Sequence, residues 1–292
     1  MKYQLRDYQK KASDAAVMYF KMKSGRNGLL VLPTGAGKSL IIADIAARLE
    51  EPLIVFQPNK EILEQNFAKL QTYGIWDCSI YSASVGRKEI SRITFATIGS
   101  VIRHMKDFQH FKNILIDECH LVKPSDGMYK RFFEQAERRI VGLTATPYRL
   151  YSCMNGSMLK FLTRTRPRVF SQVLYYCQVS ELLAKGFLSR LKYYDVTRID
   201  LTKVRRNSSG ADFDDASLSD EFRRVDLYGY LISIVKRLLH PKVGGPRKGM
   251  LVFARCPAQA EMLAREIPDS AVVSADTTKS DRERILAEFK AG

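Results

Sequence analysis

Apolar residues along the 292-residue chain follow two alternating rhythms. Runs that are apolar at nearly every position recur at LLVL (29–32), LIVF (53–56), ITFAT (93–97), ILID (114–117) and IVGLTAT (140–146). Short continuous runs of this kind suit strands buried on both faces. Between them, apolar residues recur every three or four positions, the spacing of an amphipathic helix. In DYQKKASDAAVMYFKMK, Ala12, Ala15, Ala16 and Tyr19 share such a face; in NKEILEQNFAKL, Leu63, Phe67 and Leu70 do. Strands alternating with helices predict an α/β fold, a doubly wound parallel sheet covered on both sides. Ligands in such folds gather at the carboxyl ends of the strands, and each polar signature of this chain falls there.

Past residue 186 the texture changes. RNSSGADFDDASLSDE (206–221) is polar and reads as a loop or extended connector. A helix is expected around LYGYLISIVKRLL, then a turn at KVGGPRKG and a strand at MLVFA (250–254). The helix AQAEMLAREI, the strand AVVSA (271–275) and the helix DRERILAEF follow. The expected organisation is a first lobe over 1–186, then a connector and a partial second lobe over 187–292, with too few strands for a sheet of the first lobe's size.

Lys and Arg exceed Asp and Glu by 16 charges, which favours a polyanionic partner. No acid occurs from Arg138 to Ser180, a stretch that holds Arg149, Lys160, Arg164, Arg166 and Arg168. It reads as a surface that sits on phosphates, with a solvated basic face as the plainer alternative. TRTRPR (163–168) is either a basic loop against nucleic acid or a solvated connector. The five cysteines show no C-x-x-C pairing or metal-ligand spacing, and the N-terminus carries no apolar signal, so a reducing cytoplasm is expected. No apolar run approaches the ~18 residues that span a bilayer, so no membrane partner is expected. Trp76 reads as a packing residue beside a strand at CSIYSA, with base stacking the lesser alternative.

The phosphate-loop pattern G-x-x-x-x-G-K-[ST] is met at its last three positions by Gly37, Lys38 and Ser39, while Leu32 stands at its opening glycine. Gly35 and Gly37 let the backbone curl so that N–H groups converge on a phosphate at a helix start. In that pattern Lys38 reaches the β- and γ-phosphates and the Ser39 hydroxyl holds Mg²⁺. Alone, the same residues also describe a glycine-rich turn after a buried strand. In NILIDECH, however, Asp117 ends an apolar run with Glu118 next to it. A carboxylate leaving a buried strand is costly unless something pairs with it. A divalent ion beside a triphosphate gives Asp117 that partner, and Glu118 is placed to polarise the attacking water. Together the two motifs make Mg²⁺-dependent ATP hydrolysis the leading expectation.

PTGAGKS, DECH and LTATPYR, in this order, resemble motifs I, II and III of superfamily 2 helicases. The opening glycine of the loop is commonly replaced in that family, which accommodates Leu32. The resemblance implies two RecA-like lobes, with ATP and Mg²⁺ as cofactors. Pro33, Thr34, Gly35, Ala36, Gly37, Lys38 and Ser39 would form the phosphate loop. Ser39 and Asp117 would hold the metal, and Lys38, Asp117 and Glu118 would act in catalysis. LRDYQ looks like the adenine-recognition element, implying that Gln9, with Arg6 nearby, reads the base. PNKEILEQ and FATIGS resemble motifs Ia and Ib, which implies nucleic-acid contacts by Pro58, Gln65, Thr97 and Ser100; helix capping accounts for Gln65, Thr97 and Ser100 almost as well. His120, Thr144 and Thr146 match the elements that couple the nucleotide site to the strand-binding surface. MLVFARCPAQAEMLA looks like motif IV. In the connecting region, FSQVLYYCQVSELLAKGFLSRLKYYDV and VRRNSSGADFDDASLS resemble the RadD/YejH branch, related to motor subunits of type I and III restriction enzymes.

The family's motifs V and VI, with their arginine fingers, have no match in these 292 residues, and Arg282 and Arg284 read as exposed helix charges. An arginine finger contributes ~10³–10⁵ in rate, so slow turnover is expected of this piece alone. The leading expectation is an ATP-driven translocase or helicase on nucleic acid, DNA before RNA. An RNA helicase and a nucleotide-responsive binding module without efficient hydrolysis are the alternatives.

Overall fold

The computed structural model describes residues 4–22, 26–153, 156–191, 199–208, 210, 212–243, 245–247 and 249–292, with the backbone alone for 152, 153, 156 and 157. Parts of the expected connecting region (192–198, Ser209, Ala211) and of the turn at 242–249 (Gly244, Lys248) lie outside the described residues. The chain divides into two compact units, residues 1–192 and 193–292.

Among its described residues the first unit contains ten strands: β1 Gly28–Val31, β2 Leu53–Phe56, β3 Cys78–Ser82, β4 Arg87–Lys88, β5 Ile93–Ala96, β6 Asn113–Ile116, β7 Arg139–Thr144, β8 Tyr148–Cys153, β9 Gly156–Phe161 and β10 Gln172–Tyr176. Eight of them form one sheet in the order β10-β1-β7-β6-β2-β5-β3-β4, parallel throughout except for the short edge strand β4. β8 and β9 make a separate antiparallel hairpin. Helices α1 Asp7–Lys21, α2 Lys38–Arg48 and α3 Lys60–Gln71 are joined by the shorter α4 Ile98–Val101, α5 Met128–Phe133 and α6 Val179–Ala184.

Successive side chains of a strand point to opposite faces, so one short apolar run feeds two cores. Leu30, Val55, Leu115 and Val141 pack with α1, α2 and α3 on one face. Leu29, Ile54, Ile116 and Ile140 join Phe108, Phe111 and Phe132 on the other. This two-sided burial explains why the strands read as continuous apolar runs, and it bears out the doubly wound parallel sheet.

Among its described residues the second unit holds the α-helices α7 Asp215–Arg224, α8 Leu227–Leu239, α9 Pro257–Glu266 and α10 Lys279–Ala291. α8 coincides with the helix expected at LYGYLISIVKRLL. The polar connector expected at 206–221 is corrected in its second half, which is helical. Asp214 accepts from Ser217 N as an N-cap, and Leu218 and Phe222 are buried one turn apart. The strands expected at 250–254 and 271–275 form no ladder among the described residues. Leu251, Val252 and Phe253 are exposed, because an apolar run becomes a strand only against a partner strand. Trp76 is also corrected: it is exposed rather than packed beside β3.

Candidate nucleotide site and adjoining cleft

The turn between β1 and α2 carries the phosphate loop. Leu32 is fully buried in the core below α2, and its N–H donates to Thr144 O (3.0 Å). A position whose backbone N–H anchors the loop to β7 while its side chain fills the core has no need of glycine, which gives a physical reason for the departure from the pattern. Gly35 (φ +80°) and Gly37 (φ +78°) do need theirs. A Cβ on Gly37 would also stand 2.5 Å from Gln9 Nε2. Gly37 caps α2, so Lys38 and Ser39 begin that helix where its free N–H groups attract anions.

Helix α1 closes the loop from behind. Tyr8 OH and Gln9 Nε2 both donate to Ala36 O at 2.9 Å. Arg6 N donates to Gln9 Oε1 (2.9 Å), and the Arg6 guanidinium lies 4.2 Å from the centre of the Phe187 ring. Gln9 therefore braces the loop, and Arg6 is held beside it. Tyr8 and Phe187 belong to this brace and were missed in the sequence. An aromatic on the apolar face of a helix carries no local sign that its hydroxyl holds a distant loop.

Across the sheet, β6 delivers Asp117 and Glu118. Asp117 is 6% exposed; its Oδ2 accepts from Asn66 Nδ2 (3.1 Å) and its Oδ1 from Glu118 N (3.0 Å). Burial first, then the charge of Glu118, pushes its carboxyl up to about 6, against a lowering pull from Lys38. Glu118 sits at φ +47°, a left-handed conformation that costs a non-glycine residue roughly 1–3 kcal/mol and is retained at functional sites. It places Oε1 3.3 Å from Lys38 Nζ and Oε2 3.4 Å from His120 Nδ1. His120 Nδ1 also lies 3.0 Å from Thr144 Oγ1, which accepts from Thr146 N at 3.0 Å. Lys38, Glu118, His120, Thr144 and Thr146, expected from separate motifs, are thus joined in one polar chain.

The residues fit a magnesium nucleotide. A buried carboxylate with a raised pKa is one that a dication would stabilise; Asp117, and Ser39 at the start of α2, would be the oxygens to hold it. Among the described residues no group of three or more His, Cys, Asp or Glu side chains could hold a metal.

Beside Asp117 opens a cleft of about 460 Å³ lined by Gln57, Pro58, Thr97, Glu118, Lys123 and Arg131, among others. Pro58 and Thr97 thus border the carboxylates, while Gln65 is exposed on α3 and does not line the cleft. Ser100 is buried; its hydroxyl accepts from Ala83 N (2.9 Å) and lies 3.0 Å from Thr97 Oγ1, holding α4 to the turn after β3. The expected basic surface over 138–180 is corrected in part. Arg138 is buried against the carbonyls of Phe108, Phe111 and Phe132, and burial lowers its pKa to about 10. Arg139 pairs with Glu51, and Arg149 donates to Val122 O. Arg164, Arg166 and Arg168 are exposed. Cys119, within the DECH motif, is fully buried and its thiol is pushed well up by burial, which leaves it a filler rather than a reactive group.

Residues 2–149 match the family described as "Type III restriction enzyme, res subunit". The chain is 26% identical to a DNA 3'-5' helicase XPB of Kineococcus radiotolerans over 99% of its own length and 49% of that protein's. It is 30% identical to a DNA 3'-5' translocase XPB2 of Sulfurisphaera tokodaii over 100% of its own length and 69% of that protein's. The chain therefore spans about half the length of the first relative and about two-thirds of the second. Among solved structures, the UvsW helicase from bacteriophage T4 is similar over 50% of this chain and 54% of that one, at 22% identity and a TM-score of 0.41.

Proposed function

The chain belongs to the family of type III restriction enzyme res subunits, within the superfamily 2 helicases, and from that premise we propose that it is an ATP-dependent translocase or helicase acting on DNA. The observation that carries this reading is the convergence of Lys38, Asp117, Glu118, His120 and Thr144 at the carboxyl ends of the strands. ATP supplies the phosphoryl group whose cleavage drives movement. The loop from Pro33 to Ser39 would hold the phosphates, Ser39 and Asp117 would hold Mg²⁺, which would neutralise the developing phosphate charge, and Glu118 would orient a water and take its proton.

The ion pair between Lys38 and Glu118 adds a step to this mechanism. Lys38 leaves Glu118 for a phosphate oxygen, and Glu118 is thereby freed to act as a base. His120 Nδ1 lies near both Glu118 Oε2 and Thr144 Oγ1, and a shift of this one nitrogen from Thr144 to Glu118 would relay the state of Glu118 to the turn after β7. Gln9 and Arg6 support base recognition, with Gln9 retaining one N–H beyond its bond to Ala36 O. Pro58, Thr97 and, further along α3, Gln65 face the strand, with Ser100 supporting Thr97.

Within the superfamily we assign the chain to the RadD/YejH branch on its connecting-region segments. The 3'-5' direction is proposed from the names its relatives bear. The 292 residues alone are proposed to turn ATP over slowly, since they contain no match to the arginine-finger motifs. Arg284 on α10 is paired with Asp281 and Glu288 instead.

The test is ATP turnover with single-stranded DNA, with RNA and without nucleic acid. Stimulation by DNA above RNA supports the proposal; stimulation by RNA alone replaces DNA as the substrate, and turnover unchanged by Lys38→Ala removes the nucleotide site assigned here.

A further inference from the structure

The apolar face of α3 is interrupted once. Leu63, Phe67 and Leu70 are buried against the sheet, and Asn66, on the same face, is 1% exposed. A buried amide among apolar neighbours is costly unless its hydrogens are bonded. Both Nδ2 hydrogens of Asn66 have partners, Gln57 Oε1 and Asp117 Oδ2, each at 3.1 Å. Asn66 is therefore a bridge between the residue after β2 and the residue after β6.

The backbone around this bridge is fixed. Gln57 N donates to Ala96 O at 2.9 Å, and Asp117 N donates to Phe56 O at 3.0 Å. The side-chain amides are the adjustable parts. Gln57 is 1% exposed yet lines the cleft, and its Nε2 has no partner among the described residues; neither has Asn66 Oδ1. Leaving a buried donor unbonded costs roughly 1–3 kcal/mol. The donor is itself closed off from solvent, and a turn of the Gln57 amide would present it to an acceptor in the cleft. Lys123 and Arg131, set on the same cleft against Asp117, Glu118 and Asp126, are the cations with which a phosphodiester oxygen would pair.

We propose that Gln57 and Asn66 form a positioning link through which a nucleic-acid strand in the cleft orients the Asp117 carboxylate. It rests on the reading that Asp117 holds Mg²⁺ and that the strand passes Pro58 and Thr97. When a phosphate takes the free Gln57 N–H, the Gln57 carbonyl is held towards Asn66, and Asn66 in turn holds Asp117 Oδ2. This route is separate from the one through His120 and Thr144. Coupling of this kind is reciprocal: the strand tightens binding of the magnesium nucleotide, and the nucleotide tightens binding of the strand.

Asn66→Leu keeps the volume and removes the bridge; Asn66→Ser does so with a smaller polar side chain where leucine is not tolerated. The measurement is the affinity of the 292-residue chain for a magnesium-bound, non-hydrolysable ATP analogue, with and without saturating oligothymidylate. The wild-type ratio of the two affinities is expected to be about fivefold or more, and to fall to near one in either variant. With Mn²⁺ replacing Mg²⁺, the spectrum of the bound ion should respond to the oligonucleotide in the wild type and not in the variant, a change that mere loss of stability does not produce. Equal ratios in wild type and variants overturn the proposal, whatever their common value. A wild type that binds no nucleotide, like Lys38→Ala, removes the functional reading and the proposal with it; equal ratios with nucleotide binding intact remove the proposal alone.

Discussion

Lys38 and Glu118 neutralise one another across 3.3 Å, so a change in either is felt by the other. In Glu118→Gln the base is lost while Lys38 is released towards phosphate. Nucleotide binding is expected to be retained or tightened, and turnover to fall by about 10²–10⁴, the usual contribution of a general base. Equal turnover in this variant, measured with DNA present, would remove Glu118 from its assigned role. Gly37 is a second test at the residue scale. Alanine there meets both a left-handed backbone, at about 1–2 kcal/mol, and the Gln9 amide 2.5 Å away. Gly37→Ala should therefore lower the melting temperature and weaken ATP binding together. Weakened binding with an unchanged melt would mean that the loop absorbs the methyl group without strain.

Among the elements, those that carry the chemistry were legible because local rules and burial agreed. β1, β2, β5, β6 and β7 read as apolar runs since both their faces are buried, and α1 and α3 showed their spacing because one face of each packs on the sheet. Asn66 broke that spacing in plain view, as a polar residue among Leu63, Phe67 and Leu70, but its partner Asp117 is distant in sequence. α7 was hidden for another reason. Asp214, Asp215 and Ser217 have the composition of a linker, and the same short polar side chains make an N-cap. Asp214 accepts from Ser217 N at 2.9 Å, while Ser217 Oγ accepts from Arg205 N. Asp214→Ala should cost about 1 kcal/mol, seen as faster amide exchange in α7 with α1 and α2 unaffected. Unchanged exchange would show that burial of Leu218 and Phe222 alone sustains the helix. The run at 250–254 failed in the opposite direction, since its pairing depends on a neighbour that no local pattern supplies.

For the molecule as a whole, the net charge of +16 is the largest feature that the nucleotide site does not use. The acid-free stretch from Arg138 to Ser180 is not one basic face. Arg138, Arg139 and Arg149 are engaged by carbonyls and Glu51, and their loss would act through the fold. Arg164, Arg166 and Arg168 are exposed, and no ion pair or side-chain hydrogen bond binds them among the described residues. Exposed cations of this kind act through counterion release, which sets how steeply affinity falls with salt. If these three arginines sit on the strand, replacing all of them with glutamine removes up to three phosphate contacts. The logarithmic salt slope for single-stranded DNA should then become shallower by about 0.7 per lost contact, with affinity reduced for every sequence alike. Nucleotide affinity without DNA should stay as in the wild type, because none of the three touches the loop from Pro33 to Ser39. A salt slope unchanged in the triple variant would make this stretch a solvated connector and transfer the polyanion contact to other cations, beginning with Lys123 and Arg131 at the cleft.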